Sequence, residues 1–245
     1  MQAKLVASMP TGDWIYEVKF DGYRALALRG GPETKLLSRN QKDLGKKFPE
    51  IVEAIASLDL QDAIIDGEIV ALDDQGRSSF QALQAFEMDT ERPPIVFYAF
   101  DLLRLNSKDL RDLPIEERKA KLAELFTESP AALRYSISFT KDIEELLEKA
   151  RTLGLEGLIG KRSGSRYEAG KRSGAWIKIK LHLEQEFVIG GYTDPEGGRK
   201  HFGALLVGFY EGKRSFRRKR RPPLQSPPPY PRAAQPARSA STVAQ

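Results

Sequence analysis

Cysteine is absent from the 245 residues, and histidine occurs only as His182 and His201. These absences exclude disulfides, thiolate zinc sites, a cysteine nucleophile and a histidine-rich metal site, so any metal must rest on carboxylates and water. No apolar run approaches the roughly 18 residues that span a bilayer, and the opening Met-Gln-Ala-Lys lacks the apolar core of a signal peptide. No membrane partner and no export are expected. Acidic residues are scarce in one region: residues 211–245 carry nine of the 39 Lys/Arg and one of the 34 Asp/Glu. The net charge of +5 resides there, because the preceding 210 residues hold 30 basic against 33 acidic groups. Global charge therefore says little about nucleic-acid binding by the folded part, which would need a local basic patch. The tail also holds seven of the 15 prolines and contains Ser215-Phe216-Arg217-Arg218-Lys219-Arg220-Arg221-Pro222-Pro223. Disorder is expected from residue 215 to 245.

The remaining length and its 40% hydrophobic content suffice for one or two domains with a sizeable core. Turn residues separate short strand-like runs. Trp14 to Leu28 reads as a strand pair or one long bent strand, and Lys35 to Asn40 as another strand after Gly30-Gly31-Pro32. Pro49 to Leu58 has helical spacing, with Pro49 in the first turn. Ala63 to Leu72 and Ile95 to Leu103 read as strands, and Ser79 to Phe86 as a short helix. Ile115 to Phe126 and Asp142 to Leu153 read as amphipathic helices, and residues 155–162 and 175–180 as strands. The order is α+β without βαβ repetition.

The chemistry concentrates in short constellations. In Glu17-Val18-Lys19-Phe20-Asp21-Gly22-Tyr23-Arg24, strand alternation sends Glu17, Lys19 and Asp21 to one face and Val18 and Phe20 to the other. That octapeptide alone fits a reactive pocket or an edge strand with a solvated face. Ser38-Arg39-Asn40, Asp66-Gly67-Glu68, Phe97-Tyr98-Ala99-Phe100-Asp101, Glu156-Gly157-Leu158-Ile159-Gly160-Lys161 and Trp176-Ile177-Lys178-Ile179-Lys180 follow. Each taken singly is a weak signal; their order over some 160 residues is not.

In that order they resemble the motifs of the covalent nucleotidyltransferase superfamily, most closely ATP-dependent DNA ligases of the bacterial end-joining type, over residues 1–210. The resemblance implies an ATP-grasp-like nucleotidyltransferase domain of antiparallel sheets packed with helices. It also implies that Lys19 attacks the α-phosphate of ATP and holds AMP as a phosphoramidate. A lysine with a reference pKa of about 10.4 is protonated at neutral pH, so cations or desolvation must favour the free amine. Alternation puts Lys178 and Lys180 on one face, where they could supply those cations and balance triphosphate charge; an exposed strand with snorkelling lysines has the same pattern.

Glu68 and Glu156 are the carboxylates for Mg²⁺ or Mn²⁺, which take hard oxygen ligands, although either could instead partner a buried arginine. By resemblance Glu68 also reaches the ribose, Phe100 stacks on adenine and Glu17 reads the adenine amino edge. Arg24, Arg39 and Arg172 fit phosphate or ribose recognition, since guanidinium forks match phosphate oxygens. Arg172 lies in the basic loop Gly170-Lys171-Arg172, which could meet DNA, and Lys161 takes a phosphate role. Nicked double-stranded DNA and end-joining repair proteins are the implied partners, in the cytoplasm or nucleoid of a bacterium.

The pattern then departs from the family. Residues 184–194 and 202–210 read as the opening hairpin of an OB domain, but an OB-fold needs about five strands and the chain runs into the basic tail. The expected organisation is an adenylation domain over 1–182, an incomplete OB-fold over 183–214 and the tail. That loss puts self-adenylation in question, which leaves open a truncated pseudo-ligase that binds nucleotide or nicked DNA. An RNA ligase or capping-type enzyme shares the lysine motif and is a further alternative.

Overall fold

Residues 1–31, 33–88, 93–181, 188–193, 205–211 and 215–220 are described in a computed structural model of the chain, the last two stretches by their backbone. The chain divides into two units, Met1–Leu183 and Glu184–Gln245. In order, the first unit has β1 (Lys4–Val6), β2 (Trp14–Val18), β3 (Tyr23–Gly30), β4 (Glu33–Ser38), α1 (Pro49–Ala56), β5 (Asp62–Ala71), α2 (Phe80–Glu87) and β6 (Ile95–Leu105). It continues with β7 (Lys108–Asp109), α3 (Ile115–Leu125), β8 (Leu133–Tyr135), β9 (Ser138–Phe139), α4 (Ile143–Thr152), β10 (Gly157–Arg162) and β11 (Trp176–Lys180). The second has β12 (Val188–Tyr192), β13 (Leu205–Glu211) and β14 (Ser215–Arg220).

Two sheets build the first unit. One runs β4-β3-β5-β6-β7 with β8 alongside β6, and the other runs β1-β11-β10-β2-β9. Pairing is antiparallel except for β1 with β11 and β8 with β6. The fold class is thus the α+β arrangement of antiparallel sheets and few helices read from the sequence.

The stretch from Trp14 to Leu28 is two strands, and they belong to different sheets. The break between them falls at Gly22, where an added Cβ would collide with the backbone carbonyl of Ile69. Only a residue without a side chain lets the chain pass β5 so closely, so Asp21-Gly22 is the crossing point from one sheet to the other. The crossing leaves Lys19 just beyond β2, and its N–H still donates to the Gly157 carbonyl, 2.9 Å away.

Each helix lays an apolar stripe on a sheet. Ile51, Ala54 and Ile55 of α1 are buried, and Pro49 starts that helix. In α2 the Ser79 hydroxyl accepts from the Ala82 N–H at 3.1 Å, closing the helix start. Helix α3 buries Ile115, Arg118, Lys119 and Leu122, two charged residues among them. The larger core lies under the β3–β6 sheet, around Ala27, Leu36, Ile51, Ile65, Phe97 and Leu102. A second core of Trp14, Tyr16, Leu147, Leu158, Ile177 and Ile179 backs the other sheet.

In the second unit β13 pairs with both β12 and β14. Ser215–Arg220, expected on composition to be disordered, instead form β14. Charge density argues against burial of side chains, but a strand needs only backbone pairing along β13, which the ladder from Leu206↔Arg220 to Glu211↔Ser215 supplies. The remainder of the tail lies outside the described residues. Among the described residues no helix is long and apolar enough to cross a membrane.

Candidate active site

Alternation along β2, β10 and β11 sends Trp14, Tyr16, Leu158, Ile177 and Ile179 into the rear core. It sends Glu17, Ile159, Lys161, Trp176, Lys178 and Lys180 to the opposite face. Register fixes their heights, with Ile159 across from Glu17 on one side and from Lys178 on the other. From the other sheet, Glu68 of β5 sits across from Arg24 of β3 and Tyr98 of β6.

Lys19 occupies the junction. Its ammonium is ion-paired with Glu156, a contact in which the lysine side chain keeps 19% exposure and the carboxylate 28%. Glu156 also faces Lys180 Nζ at 3.8 Å. Burial and the neighbouring charges of Lys180 and Lys19 pull the Lys178 ammonium below its ordinary pKa. Lys19, Lys178 and Lys180 therefore form one cationic cluster with Glu156 as its counterion. Asp21 shares this field: burial and Glu156 raise its carboxyl, while Lys19 and Lys180 oppose that.

Glu68 is the most perturbed carboxyl of the group. Burial pushes it up to about 8, Arg24 and Lys19 pull the other way, and Asp66 and Asp21 add to the rise. Arg24 and Lys19 do not cancel the burial cost, which is the condition an added divalent cation relieves. No three carboxylate, imidazole or thiol groups among the described residues gather into a metal cage. Glu156 is ion-paired with Lys19, whose charge also reaches Glu68, and both carboxylates are hard oxygen donors of the kind a divalent ion takes.

Glu17 is 2% exposed and is held from three directions. Lys161 Nζ lies 2.8 Å and Lys119 Nζ 3.0 Å from its Oε1. The Ser136 hydroxyl donates to its Oε2 at 2.9 Å. Burial alone raises this carboxyl; Lys161 and Lys119 override it and hold the pKa below the ordinary value. Lys161 also donates to the Phe100 carbonyl at 2.6 Å and stands 4.5 Å from the centre of the Trp176 ring. The Phe100 side chain is half-buried and meets Trp176 edge-on at 5.9 Å.

One expected phosphate contact, Lys161, is corrected, and a second, Arg24, already has protein partners. Lys161 is 1% exposed, and its ammonium is taken up by Glu17 and the Phe100 carbonyl, so it does not reach out to phosphate or DNA. Burial pulls its pKa down, a cost that Glu17 offsets. Arg24 makes a two-pronged bond to Asp66, Nε to Oδ1 at 2.9 Å and Nη2 to Oδ2 at 2.6 Å, and donates to the Met1 carbonyl at 2.6 Å. Asp66 is fully buried and Tyr167 donates to the same carboxylate at 2.7 Å, so Arg24 is held in place by protein partners while 30% of its side chain stays exposed. The sequence pattern shows an arginine near a reactive lysine but not which carboxylate the fold brings to it.

Arg39 is exposed in the turn after β4. Arg172 is exposed, donates to the Gln2 side chain at 3.0 Å, and lies close enough to Lys178 to weigh on its charge. Lys119, Ser136 and Tyr167 escape the sequence reading, and Asp66 enters it only within Asp66-Gly67-Glu68, without a role. A signal exists for Lys119: in Ile115-Glu116-Glu117-Arg118-Lys119 helical spacing from Ile115 and Leu122 puts Arg118 and Lys119 on the buried stripe.

Residues 2–180 match the ATP dependent DNA ligase domain model. The chain belongs to that family. It is 47% identical over 212 residues to the multifunctional non-homologous end joining protein LigD of Pseudomonas aeruginosa, covering 85% of this chain and 25% of that protein. It is 35% identical to DNA ligase C of Mycobacterium tuberculosis, covering 86% of this chain and 62% of the relative. The chain thus spans less than two thirds of these relatives. Among solved structures, the ligase domain of M. tuberculosis LigD superposes with a TM-score of 0.62 at 32% identity, covering 88% of this chain and 72% of that one. A mycobacterial DNA ligase D complexed with ATP superposes at 0.63 and 31% identity, covering 88% and 71%.

Proposed function

We propose that this ligase-family chain seals nicked duplex DNA in repair, using ATP and passing through an AMP adduct on Lys19 and a DNA adenylate. The observation that carries this reading is the meeting of Lys19 with Glu156, Lys178 and Lys180 on one face of the β2-β10-β11 sheet. In the first step the Lys19 amine, having lost its proton, forms a bond to the α-phosphorus as the bond to pyrophosphate breaks. Lys178 and Lys180 balance the charge growing on the phosphate oxygens. AMP then passes to the 5′-phosphate of the nick, and the 3′-hydroxyl displaces it. Phe100 offers an aromatic face to the base, and Arg172 with Lys171 offers exposed cations to the DNA backbone. The names of the LigD relatives support the repair setting.

Glu68 and Glu156 would hold Mg²⁺ or Mn²⁺, which when bound neutralises triphosphate charge. This yields a pH prediction. The Glu68 carboxyl, at about 8 in the fold against 4.5 ordinarily, keeps its proton at pH 7, so a metal must displace that proton. The Mg²⁺ concentration for half-maximal AMP loading falls as pH rises from 6.5 to 8.5, and Glu68→Gln flattens the dependence. Stability without metal follows the same group: it is fully present below about 4.5 and is lost as pH rises through about 8. Glu68→Gln therefore raises the melting temperature at pH 8.5 relative to the parent and not at pH 5. An equal shift at both pH values contradicts the assignment.

The function itself is tested with nicked duplex DNA, ATP and Mg²⁺ beside a nick already adenylated at its 5′ end. Both are expected to be sealed. Sealing of neither by a protein that takes up AMP would sink the DNA-ligase reading.

A further inference from the structure

We propose that Lys119 and Ser136 are positioning residues for adenine selection, which together with Lys161 hold the Glu17 carboxylate ionised and oriented as an acceptor for the amino group of the base. This rests on the reading of Glu17 as the group that meets the adenine edge.

A carboxylate offers about four lone-pair sites. Lys119 Nζ at 3.0 Å and Lys161 Nζ at 2.8 Å are ion-paired with Oε1 without lying along its hydrogen-bonding directions, and the Ser136 hydroxyl at 2.9 Å takes one site on Oε2. Ser136 thus fixes one edge of the carboxylate, Oε2 keeps a further acceptor site, and Oε1 makes no hydrogen bond. Lys119 is itself anchored: it donates to the Ser136 carbonyl at 2.5 Å, and its ammonium stands 4.2 Å from the centre of the Tyr135 ring. Ser136 thus grips both members, its carbonyl holding Lys119 and its hydroxyl holding Glu17. Its own N–H donates to the Ala99 carbonyl at 2.8 Å, which fixes the clamp to the strand that carries Phe100. Lys161 closes the circuit by bonding both Glu17 and the Phe100 carbonyl.

The chemical consequence is selectivity. Two ammonium groups within 3.0 Å keep Glu17 an acceptor without a proton. Such a group receives the N–H of a 6-amino purine and repels the carbonyl oxygen of a 6-oxo purine. A Glu17 freed from the clamp could rotate or take up a proton and would lose that distinction. Lys119 and Ser136 touch neither base nor phosphate in this scheme; they act through Glu17.

The test compares dissociation constants of AMP and purine riboside monophosphate, which lacks only the amino group. Calorimetry is run on the full chain, Lys119→Met, Ser136→Ala and Glu17→Gln. The parent is expected to bind AMP about tenfold more tightly, the scale of one hydrogen bond to a charged group. In Lys119→Met and Ser136→Ala the AMP constant rises toward that of the amino-free ligand, whose own binding is unchanged. Equal weakening of both ligands in Ser136→Ala marks a structural role and overturns the proposal; so does an unchanged ratio. If Lys119→Met does not fold, Ser136→Ala decides, because it leaves both ammonium groups in place. A parent that does not distinguish the ligands removes the adenine reading and the clamp with it. If Glu17→Gln abolishes the preference while both clamp variants keep it, only the clamp falls.

Discussion

Lys19→Ala is expected to leave no covalent AMP on the protein after incubation with ATP and Mg²⁺, while the parent gains the mass of one adenylate. The geometry leaves no substitute. Lys178 and Lys180 sit on β11, and in the proposed mechanism they serve the phosphate as cations. Lys161 is locked against Glu17. Loss of a covalent nucleophile costs at least about 10⁴-fold in rate, a deficit beyond what neighbouring cations can recover. Lys19→Arg is expected to fail as fully, because a guanidinium keeps the charge and cannot lose its proton. Intact-mass measurement of the three proteins decides the matter. An adduct on Lys19→Ala would move the nucleophile elsewhere, and an adduct on none of the folded proteins would withdraw the mechanism.

The ease of reading this site from sequence varied by residue. Lys19, Glu68, Glu156, Lys178 and Lys180 stand in strands or at their ends, where alternation and motif order determine which face a side chain takes. That information is local, and it holds for Lys178 and Lys180 on β11, whereas β2 ends at Val18 before alternation can place Lys19. Arg24 and Lys161 stand in equally regular strands, yet their roles depend on Asp66, Glu17 and the Phe100 carbonyl, which come from 42, 144 and 61 residues away in the chain. Sequence spacing carries no trace of such meetings. The strands β1, β8 and β9 span two or three residues and show no alternation; they exist because a neighbouring strand has free backbone groups to pair. For the helices, composition mattered more than position. Residues Arg118 and Lys119 look like part of a solvated face until Ile115 and Leu122 are used to place the buried stripe.

That buried arginine carries the largest expected effect on stability. Arg118 and Asp101 are both fully buried and joined by two hydrogen bonds, Nε to Oδ1 at 2.8 Å and Nη2 to Oδ2 at 3.0 Å. Arg118 also donates to the carbonyls of Leu113, at 2.5 Å, and Ser165, at 3.0 Å. Replacing it by methionine strands the Asp101 charge in the interior and leaves both carbonyls short of a donor. Breaking such a pair from one side costs about 3–5 kcal/mol. Urea denaturation of Arg118→Met is therefore expected to show a lower midpoint at unchanged slope, the shift multiplied by the slope returning that free energy. Adding Asp101→Leu recovers part of the loss, since no unpaired charge then remains. A single-variant loss under about 1 kcal/mol would contradict the burial on which the argument rests. The pair also bears on chemistry, because Arg118 and Lys119 are adjacent on α3. The ion pair ties that helix to β6 one residue from Phe100, beside the lysine that reaches Glu17. In the double variant, where stability is partly restored but the tie is gone, AMP binding is expected to remain weaker than in the parent.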